Sequence, residues 1–365
     1  METLPLSVRR LRRALIGVSM LCALLVLIVA AVFVYWERYL LGPSSGPFER
    51  GPFLTSLSTD SAALAWTVRG GARVELRAVS ATGSPVGARN GRFTGLRPGT
   101  VYAWTAAVDG KARASGSFTT APRTLAEPID FGAIGDYGSG NDHEYAVGKV
   151  LAAGRPAFVV TAGDNSYLAA FPQLLDRNIF KPLAPVMANA PLWATFGEHD
   201  VFWRNGAAVT SALHLPGAGG RYTVRYGPVQ IVLLGLTSAD QSAYDYAKRQ
   251  LARPGPAVRF VVVHRPLQPG NPIIRLFRER HVAAVIAGHL HRYERRLIGG
   301  NLMFTVGTGG EGPGDERFTL ATPGAFSLLD YGALRVRVDR SGVTYTFVDE
   351  RGRVLDHYRG DLTGP

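Results

Sequence analysis

The sequence predicts an α/β (α+β) protein: one membrane-sized helix, then an all-β sandwich, then a layered α/β region closed by antiparallel strands. Three observations carry this. Ala14 to Trp36 runs without a charged residue. Pro47 to Thr120 breaks into short alternating apolar and polar stretches divided by Gly, Pro and Asn. Beyond the turn-rich Ala121–Pro128, apolar strand-like runs alternate with longer helix-like stretches.

The first element follows from length and charge. At a helical rise of roughly 1.5 Å per residue, Ala14–Trp36 spans about 34 Å, enough for the hydrocarbon core of a bilayer. The basic cluster Arg9-Arg10-Leu11-Arg12-Arg13 precedes it, and Tyr35 and Trp36 suit the far interface. The expected organisation is a cytoplasmic basic segment 1–13, a transmembrane anchor 14–36 and a linker 37–47, with the rest facing outward. A cleaved secretory signal, leaving a secreted protein, is the alternative, but its apolar core is usually shorter. The single cysteine, Cys22, lies in the apolar run, so no intramolecular disulfide and no thiolate metal site outside the membrane is available. The formal charge of +12 comes mostly from scattered arginines, with only four lysines. No nucleic-acid partner is expected from it, although some affinity for anionic surfaces or phosphate stays open.

The sandwich is expected over 48–120, with strands such as Ala62–Val68 and Arg73–Ala78. The layered region, 128–358, has candidate strands Ile129–Ile134, Ala157–Ala162, Leu192–Phe196, Val229–Leu236, Arg259–Val263, Val282–Ala287 and Leu302–Val306. Helical stretches fit between them at Asp142–Ala153, Gln173–Met187, Asp240–Leu251 and Pro272–Arg280. The tail, Leu334–Val338, Val343–Val348 and Val354–Tyr358, alternates like antiparallel strands. No internal repeat is present.

Five polar clusters sit after apolar runs: Asp136; Gly163-Asp164-Asn165-Ser166-Tyr167; Gly197-Glu198-His199-Asp200; His264; and Gly288-His289-Leu290-His291. Each alone has a bland explanation. An Asp after a strand usually caps a turn, and a single His is commonly a satisfied core residue. Together they supply the oxygens and imidazoles that two metal ions need, on loops leaving the carboxyl ends of strands. His289 and His291, two residues apart, point to one side of an extended segment. His143, His214, His281 and His357 have no such setting and read as structural or surface residues.

The series Gly135-Asp136-Tyr137-Gly138, Gly163-Asp164-x-x-Tyr167, Gly197-x-His199-Asp200, Val261-x-x-His264 and Gly288-His289-x-His291 resembles the purple acid phosphatase branch of the calcineurin-like metallophosphoesterases. Tyr293-Glu294-Arg295 and Val306-Gly307-Thr308-Gly309-Gly310 extend the likeness. Gly95–Tyr102 and Gly116–Thr120 resemble the tyrosine corner and last strand of a fibronectin type III module. The resemblance implies a four-layer metallophosphoesterase β-sandwich flanked by helices. It implies that Asp136, Asp164, Tyr167 and His291 bind a first ion, with Asp164 bridging to a second held by His264, His289 and position 198. His199 would be a proton donor or phosphate clamp, with Asp200 orienting its ring. Phenolate coordination implies iron(III) beside iron(II), zinc or manganese.

The implied reaction is hydrolysis of a small phosphate monoester by a metal-bound hydroxide, without a phosphoenzyme. Phosphodiesterase or nucleotide hydrolase activity on the same fold is the alternative. Arg292 and Arg295 are candidate phosphate contacts, with Arg296 beside them; a structural ion pair with Glu294 is the competing reading. One position departs from the branch, because Glu198 stands where it has asparagine. A fourth negative ligand would lower the net charge of the centre and favour harder ions at the second position, or Glu198 would face away. A weakened metal site would leave a cell-surface binding protein. The oligomeric state is left open.

Overall fold

The computed structural model describes residues 6–40, 46–83, 85–312 and 325–364. Met1–Ser45 and Gly46–Pro365 form two compact units. The first contains helix α1, Leu6–Leu40. Its window Leu15–Val32 is long and apolar enough to cross a membrane, and none of it is buried. The helix takes in residues 37–40 of the expected linker. Glu37-Arg38-Tyr39-Leu40 carries no Gly or Pro to end the helix, which continues to Leu40. Residues 1–5 of the expected basic segment and 41–45 of the expected linker lie outside the described residues.

The second unit opens with seven strands: β1 Phe48–Leu57, β2 Ser61–Val68, β3 Val74–Ser80, β4 Val86–Gly87, β5 Arg92–Thr94, β6 Val101–Val108 and β7 Lys111–Thr119. They form two antiparallel sheets, β1-β2-β5 and β4-β3-β6-β7. Their alternation buries Leu54, Leu64, Leu76, Phe93, Trp104 and Phe118. The Tyr102 hydroxyl accepts the Arg97 amide at 3.0 Å, closing the corner before β6. These strands share a core with the α/β region of the same unit. Trp104 donates to the Ala188 carbonyl at 2.9 Å, Arg50 pairs with Asp176 at 2.7 Å, and Tyr226 donates to the Thr119 carbonyl at 2.7 Å.

The remainder is a mixed α/β sandwich of two sheets. The strands are β8 Ile129–Ile134, β9 Val159–Thr161, β10 Leu192–Ala194, β11 Arg221–Tyr226, β12 Val229–Leu234, β13 Val258–Val263, β14 Val282–Ala287, β15 Tyr293–Ile298, β16 Asn301–Val306, β17 Phe326–Leu328, β18 Gly332–Asp339, β19 Gly342–Asp349 and β20 Val354–Gly360. One sheet runs β10-β9-β8-β18-β19-β20 and the other β11-β12-β13-β14-β16-β15-β17. Aromatic side chains fill the space between them: Phe131 on Phe260 (5.1 Å), Phe304 on Tyr345 (4.4 Å) and Tyr293 on Phe347 (4.1 Å). The helices are α2 Asp142–Ala153, α3 Ala184–Met187, α4 Glu198–Val201, α5 Ala207–Ala212, α6 Gln241–Leu251 and α7 Ile273–Glu279. Helix α2 packs against the first sheet, α6 and α7 against the second.

The period of two in β13 shows why a continuous apolar run was required. Phe260 and Val262 face the inter-sheet core, while Val261 and Val263 face the layer under α6 and α7. Strands 129–134 and 282–287 and helix 142–153 fall where the sequence placed them. The helix expected over Gln173–Met187 is broken into a turn at Pro172–Leu174, a wide turn at Asp176–Phe180 and α3. Pro182 and Pro185 remove the amide donors a continuous helix would use. Strands β11, β15 and β17 were not anticipated. The charged β15 pairs with β16 through Gly299-Gly300, whose φ of 54° and 78° suit a tight hairpin.

Candidate metal centre

Parallel pairing decides where the five clusters go. Strands β8, β9 and β10 are parallel neighbours in one sheet, and β12, β13, β14 and β16 in the other. Their carboxyl-terminal loops carry Asp136, Asp164, the Gly197–Asp200 segment, His264, and His289 with His291. Three of these side chains sit on left-handed backbone: Asp136 (φ 53°), Asp164 (φ 51°) and His289 (φ 69°). Each such conformation costs on the order of 1 kcal/mol and persists only where the surroundings impose it. Two glycines allow the close approach. Gly163 has φ +91°, and a Cβ there would lie 2.5 Å from His264 Nδ1. A Cβ on Gly288 would overlap the Asp136 carboxylate.

Two donor groups result, sharing Asp164. In the first, the Tyr167 hydroxyl lies 3.3 Å from Asp136 Oδ1, 3.2 Å from Asp164 Oδ2 and 3.3 Å from His291 Nε2. His291 Nε2 is 3.5 Å from Asp136 Oδ1. In the second, His264 Nε2 lies 3.5 Å from Asp164 Oδ2 and 2.6 Å from Glu198 Oε2, and Glu198 Oε1 lies 3.5 Å from His289 Nδ1. The trios Glu198-His264-His289 and Asp136-Asp164-His264 each bring one ligand atom per residue within 4.8 Å of the others.

The donor chemistry fits cations. His264 Nδ1 donates to the Ala162 carbonyl at 2.7 Å and His291 Nδ1 to that of Gly312 at 3.1 Å. That leaves each Nε2 lone pair aimed inward, the usual arrangement of an imidazole ligand. His264 Nε2 and Glu198 Oε2 are buried and face one another without the alignment of a hydrogen bond. The two atoms form a close ion pair, and a cation held between them would coordinate both.

The electrostatics agree. Burial alone would lower the His264 pKa, but the surrounding Asp164, Glu198 and Asp136 charges raise it to about 10. Burial raises the Asp164 carboxyl, assisted by Asp136 and opposed by His264. Burial would also raise Glu198, yet the adjacent imidazoles of His264 and His289 hold it far below the ordinary range. The Tyr167 phenol is pushed well up by burial and by Asp136 and Asp164. The pocket thus has an excess of negative charge that holds protons where a cation would otherwise sit.

The third cluster departs from expectation in one respect. Glu198 faces inward, toward both His264 and His289. His199 Nδ1 bonds the Leu168 carbonyl at 2.6 Å, and its ring lies 4.3 Å from that of Tyr167. Asp200 does not orient it. The Asp200 carboxylate, fully buried, accepts the Gly197 amide (2.9 Å), the Asn165 amide (3.0 Å) and Asn165 Nδ2 (2.8 Å). It ties the second cluster to the third. Asn165 completes the network by accepting from Tyr137 and Thr161 and donating to the Thr195 carbonyl.

The arginines expected on phosphate are engaged elsewhere. Arg292 is buried on Glu294 (2.9 Å), and Arg296 lies 3.3 Å from the same carboxylate. Arg295 grips Asp356 through two bonds of 2.8 and 3.1 Å and stacks over Tyr358. The expected ion pair with Glu294 is present for Arg292 and Arg296, whereas Arg295 pairs with Asp356 instead. Arg265, which the sequence did not single out, borders the centre instead. Its Nε lies 2.5 Å from Glu198 Oε1 with half of the side chain exposed. Its position directly after His264 was the only available signal. Of the remaining histidines, His143 pairs with Glu350 and stacks on Tyr331, and His357 contacts Thr346.

The family description "Calcineurin-like phosphoesterase" matches residues 129–293. No curated protein sequence matches the chain. Among solved structures, the fold is similar to that of a purple acid phosphatase, PPD1, from yellow lupin (Lupinus luteus) seeds, at 15% identity and a TM-score of 0.71, covering 86% of this chain and 74% of that one. It is similar to PhoD at 13% identity and a TM-score of 0.63, covering 86% and 90%. A third is GAP50, the anchor in the inner membrane complex of Plasmodium, at 16% identity and a TM-score of 0.51, covering 65% and 89%. Sheet order, strand-end loops and the family match agree: residues 129–293 match the calcineurin-like phosphoesterase family, on a fold similar to those of purple acid phosphatase and PhoD.

Proposed function

We propose that this protein is a two-metal hydrolase of phosphate monoesters, held in the membrane by α1 with its metal centre on the extracytoplasmic side. The observation that carries the reading is the pair of donor groups meeting at Asp164, with His264 Nε2 and Glu198 Oε2 buried 2.6 Å apart beside it. Asp136, Asp164, Tyr167 and His291 would hold one ion, and Asp164, Glu198, His264 and His289 the other. Bound there, two cations would neutralise phosphate oxygens and acidify a water nucleophile. A phenolic ligand favours iron(III) at the first position and the extra carboxylate a hard divalent ion at the second.

The chain's own residues account for the remaining requirements. The carbonyls of Ala162 and Gly312 set the tautomers of His264 and His291. His199, its Nδ1 bound to Leu168, presents Nε2 as the atom that gives a proton to the departing oxygen. Arg265 lies on Glu198 with guanidinium surface exposed, in position to meet a phosphate oxygen. Orientation is supported by the arginines before the apolar span of α1. Residues 48–120 we read as a fibronectin type III-like module, supported by the Tyr102 corner, and 128–358 as the hydrolase domain.

Metal content and phosphomonoester turnover of the detergent-solubilised full chain test the proposal. Two tightly held equivalents and hydrolysis are expected, with both lost in Asp164→Ala and second-ion affinity altered in Glu198→Asn. Undiminished turnover in Asp164→Ala would refute the enzymatic reading. Unchanged second-ion binding in Glu198→Asn would remove Glu198 from the ligand set.

A further inference from the structure

The loops that bear the polar centre also carry an uncovered apolar rim. Leu168, next to Tyr167, is 84% exposed, and Phe202, next to the Glu198–Val201 turn, is 76% exposed. Trp203 is exposed as well and lies tilted against Phe171, ring centroids 5.0 Å apart. Leu168 contacts His199, and Phe202 and Trp203 follow His199 three and four residues on. Its Nδ1 bonds the Leu168 carbonyl, and the Ala170 amide bonds the His199 carbonyl at 3.2 Å. Helical spacing places Phe202 three residues beyond His199 and four beyond Glu198, on the same face of the turn. Single exposed apolar residues need no explanation, but a cluster beside a charged centre does.

We infer that this rim is the leaving-group subsite, and that the substrate is a phosphomonoester of an apolar alcohol. The inference rests on the hydrolase reading above. In an in-line displacement the departing oxygen points away from the nucleophile and toward its proton donor. If His199 Nε2 is that donor, the alcohol leaves across Leu168, Phe202 and Trp203. The P–O bond to the alcohol breaks, its electron pair stays on oxygen, and oxygen takes the Nε2 proton of the His199 imidazolium, while water supplies the hydroxyl of the released phosphate and its other proton restores the imidazolium. An alkyl chain gains by covering these side chains, whereas a polyol gives up hydration against them. Arg204, over Trp203, and Arg265 add positive charge to the rim, which suits an anionic headgroup on an apolar tail.

The test compares kcat/KM for n-hexyl phosphate and glycerol 1-phosphate, which share the charge and a primary alkoxide leaving group and differ in the polarity of the alcohol. With the metal-loaded full chain in detergent, the hexyl ester should be preferred about tenfold or more, and the ratio should fall by about that factor in Phe202→Ser or Leu168→Ser. A second arm offers phosphatidic acid in phosphatidylcholine vesicles to the reconstituted chain. Hydrolysis there identifies the apolar alcohol as a membrane lipid, and its absence with hexyl preference intact identifies a soluble apolar ester. A wild-type ratio near one, or a preference unmoved by both substitutions, would overturn the inference while leaving the hydrolase reading intact. Failure to hydrolyse either small ester with two ions bound would overturn the hydrolase reading and this one with it.

Discussion

Asp200 separates two roles that the Gly197–Asp200 segment suggests, and Asp200→Ala decides between them. If Asp200 served to orient His199, its loss would reduce turnover and leave stability unchanged. The structure instead gives its carboxylate three buried donors: the amides of Gly197 and Asn165 and the Asn165 side-chain nitrogen. Each buried donor left without a partner costs about 1–3 kcal/mol. Against this, burial and the Asp164 charge raise the Asp200 pKa to about 7, so removing the carboxyl relieves part of an unfavourable interaction. The net expectation is a destabilisation of about 2–5 kcal/mol. That lowers the melting temperature by roughly 4–10 °C for a unit of this size. His199→Ala, whose side chain is only partly buried, should stay within about 1 kcal/mol of wild type. Thermal melts of the metal-free full chain in detergent, followed by circular dichroism, make the comparison. An Asp200→Ala protein that melts with the wild type but turns over like His199→Ala would refute the assignment of Asp200 to the loop network.

Two further substitutions address the arginines. Arg295→Ala strips the two-bond pair from Asp356, which then keeps only the Tyr293 hydroxyl (2.7 Å) among these side-chain partners. It should cost about 1–3 kcal/mol in urea denaturation without changing KM, and a raised KM at unchanged stability would restore it as a phosphate contact. Arg265→Ala should leave stability within about 0.5 kcal/mol, because half of its side chain is in solvent, and weaken inhibition by inorganic phosphate about tenfold. Unchanged phosphate inhibition would exclude it from the substrate site.

Different features of the site were legible for different reasons. Asp136, Asp164, His264, His289 and His291 could be picked out because each comes after an apolar run long enough to be a buried strand, and parallel strands deliver their ends to one edge. The ion pairs of the arginines after His291 were not legible for a related reason. Proximity along the chain does not specify side-chain direction: Arg292, just before β15, pairs with Glu294, and Arg295, on β15, pairs with Asp356. Asp200 beside His199 posed the same problem: the two side chains leave the helical turn in different directions, and the carboxylate serves amides from another loop.

The sequence by itself determined the type of chemistry and its scaffold. Apolar periodicity specifies buried strands and an apolar helix long enough for a bilayer, and the residue types at the strand ends supply the oxygen and imidazole donors of a candidate metal centre. Only the tertiary structure decided direction and contact: that Glu198 points at His264 and His289, that Arg265 pairs with Glu198, and that Leu168, whose carbonyl holds His199, and Phe202 and Trp203 are exposed. The physical reason is range. Strand and helix formation depend on neighbours a few residues apart, whereas the partner of a side chain at a loop end is set by strands distant in sequence that pairing brings within a few ångströms.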